Sequence, residues 1–148
     1  MIRGYFRAAG ITKRPYVNAL VEFTGVRGVI SVPFLIDTGA DRSVLSPSVL
    51  ARVGLAEDDQ RRGATTRGIG GAVQTRSIDA VVTLGSVIVP MTLLVFEAEP
   101  GGESSTSAAA LPSLLGQDVL SRFALVVDAH RDRVLLLEDS EAEALPLP

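Results

Sequence analysis

Apolar residues in this chain come in short runs cut by glycine and proline, which is the texture of strands and hairpins rather than of long helices. Residues 2–9 form an apolar-aromatic stretch of edge-strand type. Tyr16-Val17-Asn18-Ala19-Leu20-Val21-Glu22-Phe23 reads as a strand and is ended by Thr24-Gly25. A second run, Gly28-Val29-Ile30-Ser31-Val32-Pro33-Phe34-Leu35-Ile36, is rich in β-branched residues, and the Gly25 to Gly28 connection fits a hairpin. It leads into Asp37-Thr38-Gly39. Residues 46–54 predict a short helix: Ser46 is placed to cap orphan N–H groups, Pro47 suits the first helical position, and Gly54 suits a left-handed close.

Residues 56–66 are charged and turn-like. Three glycines then fall within the four positions 68–71. Two strands follow, 78–84 and 87–96, joined by a Gly85-Ser86 turn, with Pro90 marking the second as an edge or a bulge. Residues 100–110 are low in complexity and read as a flexible loop within the domain. Leu114 to Phe123 reads as a turn into a short helix. Phe123–Val127 and Val134–Leu137 read as a closing hairpin, turned at residues 128–132. The acidic tail, 139–148, is expected to fray.

Composition narrows the possibilities. A length of 148 residues predicts a single domain spanning 1–148, with residues 1–15 as an N-terminal strand or arm. A hydrophobic fraction of 47% is enough for a real core. Basic and acidic residues are interspersed and the net charge is −3, so neither a basic face nor a nucleic-acid partner is expected. Cysteine is absent, which excludes disulfides, thiolate metal sites and a thiol nucleophile. The single histidine, His130, excludes a multi-histidine zinc site within one chain and reads as a solvated turn residue. No run of about 18 apolar residues suggests a membrane helix, and the first residues lack a signal-peptide core. The expectation is a cytoplasmic protein that uses no metal or cofactor.

The chemistry concentrates at Asp37. An apolar run delivers one carboxylate into a tight turn, followed at once by a hydroxyl residue, a glycine and a small residue. Such a site leaves little side-chain bulk around the acid. It suits a carboxylate that must approach both a substrate and another catalytic group. A phosphotransfer aspartate of the haloacid-dehalogenase type would need a second acid two residues on, where Gly39 stands.

Leu35-Ile36-Asp37-Thr38-Gly39-Ala40, the glycine-rich 68–71 and Leu114-Leu115-Gly116 occur in that order. In these three elements the chain resembles the retroviral-type, retropepsin-like aspartic proteases over roughly residues 16–137. The resemblance implies an all-β retropepsin-like acid protease barrel with one or two short helices. Asp37 would be catalytic, with Thr38 and Gly39 supporting the active site. Ala40 and Asp41 would bind substrate, as would Ile69, Gly70 and Gly71 at the tip of a flap. Leu114-Leu115-Gly116 would cross beneath the catalytic turn.

Amide hydrolysis by this route uses two carboxylates that share one proton. At about 3 Å apart both cannot ionise, so the apparent pKa values belong to the pair; aspartic proteases are the standard example of this splitting. One Asp-Thr-Gly per chain therefore implies a homodimer with Asp37 from each copy on a two-fold axis. The implied partners are a polypeptide substrate and a second copy of the chain. Two departures stand out. Gln117 occupies a place where family members often carry an arginine that pairs with the acid at the Asp41 position. The acidic, proline-containing tail also matches poorly the interleaved termini through which viral members dimerise. The alternative reading is a non-proteolytic peptide-binding or dimerisation module with the same fold.

Overall fold

The structure, a computed structural model, describes residues 1–55, 61–68, 71–96 and 111–146, with the backbone alone considered at 61–68, 71–75 and 96. The strands are β1 (Ile2–Arg3), β2 (Tyr5–Ala9), β3 (Thr12–Phe23), β4 (Ile30–Ile36), β5 (Val44–Leu45), β6 (Arg61–Gly68), β7 (Gly71–Leu84), β8 (Val87–Phe96), β9 (Ser113–Leu115), β10 (Ala124–Asp128) and β11 (Arg133–Leu137). The helices are α1 (Pro47–Val53), α2 (Gln117–Leu120) and α3 (Asp139–Ala142). Pairing runs β3-β4-β9-β5-β8-β7 and returns from β7 to β3, so six strands close into a barrel. The expected all-β barrel with short helices is what the chain forms.

The twelve-residue β3 organises this closure. One edge pairs with β4 through Tyr16–Val21, while the other pairs with β2 through Thr12–Tyr16 and with β7 through Leu20–Phe23. Strand alternation sends Val17, Ala19, Val21 and Phe23 inward, where they meet Val32, Phe34 and Ile36 of β4 and Ile78, Ala80, Val82 and Leu84 of β7. Val49 and Leu50 of α1 and Val119 and Leu120 of α2 join the same core, as do Val134 and Leu136 of β11.

A second, three-stranded sheet has the order β1-β11-β10. The stretch 2–9 is therefore two strands in two sheets rather than one edge strand. The break falls at Gly4, whose N–H donates to Val134 O at 2.8 Å. A Cβ there would lie 2.4 Å from Tyr16 O and 2.7 Å from Val134 Cγ1, so only glycine lets the chain cross between sheets.

Other expectations are met or corrected locally. Gly85 takes φ 59° in the β7–β8 turn, and Gly54 takes φ 70° as it closes α1. Pro33 and Pro90 sit in β4 and β8 where the neighbouring short strands β9 and β5 do not reach, so neither costs a ladder bond on that side. Ser46 occupies the start of α1 but does not cap it with its side chain; its hydroxyl bonds that of Ser48 at 2.9 Å. Within the stretch expected to be turn-like, Arg61 onward is strand β6, because pairing with β7 outweighs its charged composition. Residues 56–60 and the loop 100–110 lie outside the described residues.

The expected frayed tail is also corrected over its first part. Residues 139–142 form α3, with a reciprocal capping box between Glu138 and Glu141. Glu138 accepts from Ser86 N at 3.2 Å and from the Ser86 hydroxyl, which ties this helix to the β7–β8 turn. The chain's amino group pairs with Glu141 and holds that carboxyl below its ordinary pKa, with the Glu138 N–H adding to the effect. No described helix is long and apolar enough to cross a membrane.

Candidate active site

β4 carries Asp37 out of the core. Phe34 and Ile36 are buried and anchor the strand end, and the next residue turns. The Asp37 N–H donates to Leu115 O at 3.0 Å, so the first bond of the turn is made to β9. The turn then closes on itself. Ala40 N donates to Asp37 O at 3.2 Å, and Gly39 N donates to Asp37 Oδ1 at 3.0 Å. A Cβ on residue 39 would lie 3.4 Å from the same carboxylate oxygen, in contact with it. Asp37 is half-buried, while Thr38 and Gly39 are exposed.

Beneath this turn runs the segment from Leu114 to Asp118, bonded to it at successive positions. β9 pairs in parallel with the end of β4, Leu35 opposite Leu114 and Ile36 opposite Leu115. Gln117 Nε2 donates to Thr38 O at 2.9 Å, Gln117 N to Ala40 O at 2.8 Å, and Asp118 N to Asp41 O at 3.1 Å. Gly116 lies so close under the turn that a Cβ would sit 2.7 Å from Arg42 C and 2.8 Å from Ala40 O. The apolar-apolar-glycine element thus passes directly beneath the Asp37 turn.

Two residues that sequence reasoning did not single out complete this lock. Ser43 is 0% exposed, and its N–H and hydroxyl donate to Asp118 Oδ2 and Oδ1 at 2.8 and 2.6 Å. Its Oγ also accepts from Gly116 N at 3.0 Å. Ser43 O accepts from Leu94 N at 3.2 Å, which fastens the same point to β8. The available signal was a small polar residue leading into the apolar Val44-Leu45, together with an acid in the first turn after Gly116.

The predicted residues divide into three groups. Asp37, Thr38, Gly39, Ala40 and Asp41 form one continuous turn. Gly71 opens β7 and pairs with Gly68 of β6, so these two strands form a hairpin; its tip, Ile69 and Gly70, lies outside the described residues. Gln117 is committed to the Thr38 carbonyl, and Asp41 is exposed with no side-chain partner among the described residues. The Thr38 hydroxyl likewise has no partner among the described residues.

Among the described residues no cluster of three or more His, Cys, Asp or Glu side chains is placed to hold a metal. His130 is exposed in the β10–β11 turn, where its N–H and that of Arg131 donate to Asp128. The Arg131 N–H is the largest cause of a lowered Asp128 pKa, and the Arg131 and Arg133 guanidinium groups reinforce it against partial desolvation.

Comparison with known proteins gives the same picture. The sequence model of the family described as gag-polyprotein putative aspartyl protease matches residues 24–122. A retropepsin-like aspartic protease from Rickettsia conorii is 20% identical; the match covers 92% of this chain and 91% of that one, with a TM-score of 0.60. The EIAV protease, solved with the inhibitor HBY-793, is 24% identical over 78% of this chain and 92% of its own, with a TM-score of 0.54. At these identities the two structures establish the shared fold. The search of curated proteins found no match.

Proposed function

The chain belongs to the gag-polyprotein putative aspartyl protease family, and from that premise we propose that it is an aspartic endopeptidase, active as a homodimer in the cytoplasm. The observation that carries this reading is the Asp37 turn itself. A half-buried carboxylate is held through one oxygen by Gly39 N–H, on a turn bonded along its length to Leu115–Asp118. That rigidity is what a carboxylate needs if it is to meet a second one at short range without large rearrangement.

In the proposed mechanism the two Asp37 carboxyls share one proton and hold a water between them. The ionised carboxylate takes a proton from that water as its oxygen attacks the peptide carbonyl carbon. The protonated partner gives its proton to the carbonyl oxygen. The tetrahedral diol then collapses: the nitrogen takes the proton from the carboxyl that deprotonated the water, one diol hydroxyl gives its proton to the other carboxylate, the C–N bond breaks, and a carboxylic acid and an amine leave with one proton again on the pair. A polypeptide would lie extended under the β6–β7 hairpin, using strand-like main-chain bonds and apolar pockets. A thiol nucleophile, a thiolate metal site and a multi-histidine zinc site have no residues to support them in this sequence.

Asp37→Asn tests the reading. Against a peptide library across pH 4–7, wild type cuts and the variant does not, while sedimentation of the two remains the same. Cleavage that survives the substitution would sink the protease. One observation favours the non-proteolytic module: Gln117 is spent on Thr38 O, and among the described residues no side chain holds Asp41. A dimer that binds peptides and cuts none would establish that alternative.

A further inference from the structure

We propose that the free edge of β2 is a docking site for an extended acidic segment of the polypeptide substrate, which adds to the sheet as a further strand and sets a carboxylate opposite Arg7. The inference rests on the endopeptidase reading above for the molecule that carries this segment, and on the β2–β3 hairpin for everything else.

β2 ends the eight-stranded sheet, and beyond its pairing with β3 it meets no other described strand. The register fixes which of its backbone groups are free. In an antiparallel pair, opposed residues alternate between exchanging both main-chain bonds and exchanging none. The two-residue turn Gly10-Ile11, with Gly10 at φ 63°, closes on Ala9 and Thr12 as an exchanging pair. Arg7 with Arg14 and Tyr5 with Tyr16 then exchange too, while Phe6 and Ala8 turn their N–H and C=O groups outward. Pro15, opposite Phe6, has no N–H to give, which agrees with this phase. Lys13 holds the hairpin in place by donating to Ala129 O at 3.0 Å and pairing with Asp132, so the edge is presented ready-made.

Charge selects the occupant. The first acidic residue of the chain is Glu22, and before it come Arg3, Arg7, Lys13 and Arg14. Arg7 and Arg14 stand directly opposite each other, and like charges so placed are destabilising. Among the described residues no carboxylate pairs with either. Arg7 is exposed, and its guanidinium lies 4.9 and 5.6 Å from the ring centroids of Tyr16 and Tyr5, which stack at 6.0 Å. Tyr5 is pinned by its hydroxyl, which donates to Asn18 Oδ1 at 2.8 Å. Stacking orients a guanidinium while leaving its in-plane N–H groups for a carboxylate. A strand that bonds to Phe6 and Ala8 makes the position opposite Arg7 a non-exchanging one, where side chains approach closest. Arg7 also disfavours a second copy as the occupant, since two β2 strands paired about Arg7 would bring the two guanidinium groups together.

The edge lies at the catalytic end of the barrel. Tyr16 is opposite Leu35 near the end of β4, so residues 12–15 of β3, and β2 with them, run on past the strand end from which Asp37 emerges. A segment held on β2 and a scissile bond held at Asp37 are then two contacts on one ligand, and the first raises the local concentration of the second. Neutral or basic strands would make the same main-chain bonds at this edge, but only an acidic one answers Arg7, so selection falls to the carboxylate.

The test separates docking from cutting. A fluorescein-labelled peptide of about ten alternating glutamate and threonine residues, long enough to span the edge, is titrated against Asp37→Asn protein by anisotropy at low salt. It is expected to bind at least ~10-fold tighter than the same peptide with glutamine for glutamate. Arg7→Gln should lose at least ~10-fold of that affinity. So should Ala8→Pro, which removes an outward N–H that β3 does not use, with the circular dichroism spectrum unchanged. Arg27→Gln, at an exposed arginine between β3 and β4, should bind like the parent. On wild type, joining the acidic segment to a cleavable peptide through a flexible linker is expected to lower KM with kcat little changed, and Arg7→Gln to abolish the gain. Equal binding of the glutamate and glutamine peptides, a folded Arg7→Gln or Ala8→Pro protein that binds like the parent, an Arg27→Gln loss as large as that of Arg7→Gln, or equal binding of a DNA oligonucleotide of the same charge would each overturn the docking site. Binding without the KM gain would overturn the assignment of the segment to the substrate. Peptide binding as expected, with no cleavage of any peptide by wild type, would leave the edge standing and sink the protease. Cleavage by wild type with no binding of the acidic segment would do the reverse.

Discussion

Replacing Asp118 by alanine removes the acceptor that both polar groups of Ser43 use. Two charge-assisted bonds are lost, from Ser43 N at 2.8 Å and Ser43 Oγ at 2.6 Å. A bond to a charged acceptor contributes about 1.5–3 kcal/mol, and an abandoned buried donor costs about 1–3 kcal/mol. Asp118 is only half-buried, so water can re-enter and replace part of this. The expected loss is roughly 2–4 kcal/mol, a large share of the ~5–15 kcal/mol that holds a typical domain. At about 2–4 °C per kcal/mol for a chain of this length, the midpoint falls by roughly 5–15 °C. Ser43→Ala removes one of the same bonds and the acceptor of Gly116 N, and it should cost roughly 1.5–3 kcal/mol. Because the two residues share a bond, the double variant should fall short of the sum by about 1 kcal/mol or more. Urea unfolding followed by circular dichroism, at one fixed protein concentration, reads all three variants without reference to activity. A loss below about 0.5 kcal/mol for Asp118→Ala, or strict additivity in the cycle, would refute the claim that this pair locks the turn.

Gly116→Ala should be at least as damaging, about 3 kcal/mol or more by thermal melt, because its Cβ would press on backbone atoms of residues 40 and 42 at 2.7–2.8 Å, and backbone cannot rotate aside. Phe34→Ala empties the barrel centre at a fully buried position and should cost about 3–5 kcal/mol in urea, with the secondary structure retained in water. Asp128 and Glu141 both have lowered folded-state pKa values, so each contributes stability that is fully present above its unfolded value and is lost as pH falls through the folded one. Melts from pH 7 down to 2 should therefore show a loss concentrated below about pH 4, and Asp128→Asn should flatten that part of the profile.

How far the sequence could be read depended on how local the cause was. The barrel strands were legible because inward positions recur with a period of two through β3, β4 and β7, and Pro47 and Gly54 framed α1 by their own backbone preferences. β6 was not legible, since its residues are charged and become strand only through pairing with β7. The split at Gly4 was hidden for a similar reason: nothing in residues 2–9 announces that Val134, far along the chain, will take up the Gly4 N–H. α3 was hidden by an acidic composition that suggests solvation. Its glutamates are in fact satisfied by a capping box, by Ser86 and by the chain's amino group.

The active site divides along the same line. Asp37, Gly39 and Gly116 could be picked out because each belongs to a short local pattern, the acid turn after an apolar run or the apolar-apolar-glycine element, and at Gly116 the structure leaves no room for a Cβ. Ser43 and Asp118 could not, because their importance lies in a bond made between residues 75 positions apart. The same contrast bears on Gln117. As a letter it looked like a lost arginine, with Asp41 as the partner left waiting. In space its amide holds the carbonyl of Thr38, the residue after the catalytic acid, while Asp41 faces solvent. A guanidinium at position 117 would compete between that carbonyl and the Asp41 carboxylate. An exposed pair with Asp41 contributes at most about 1 kcal/mol, comparable with the single bond to Thr38 O that it would put at risk. Glutamine is therefore a different way of holding the turn, one that fixes the backbone of Thr38 and leaves the Asp41 carboxylate exposed, with no side-chain partner among the described residues.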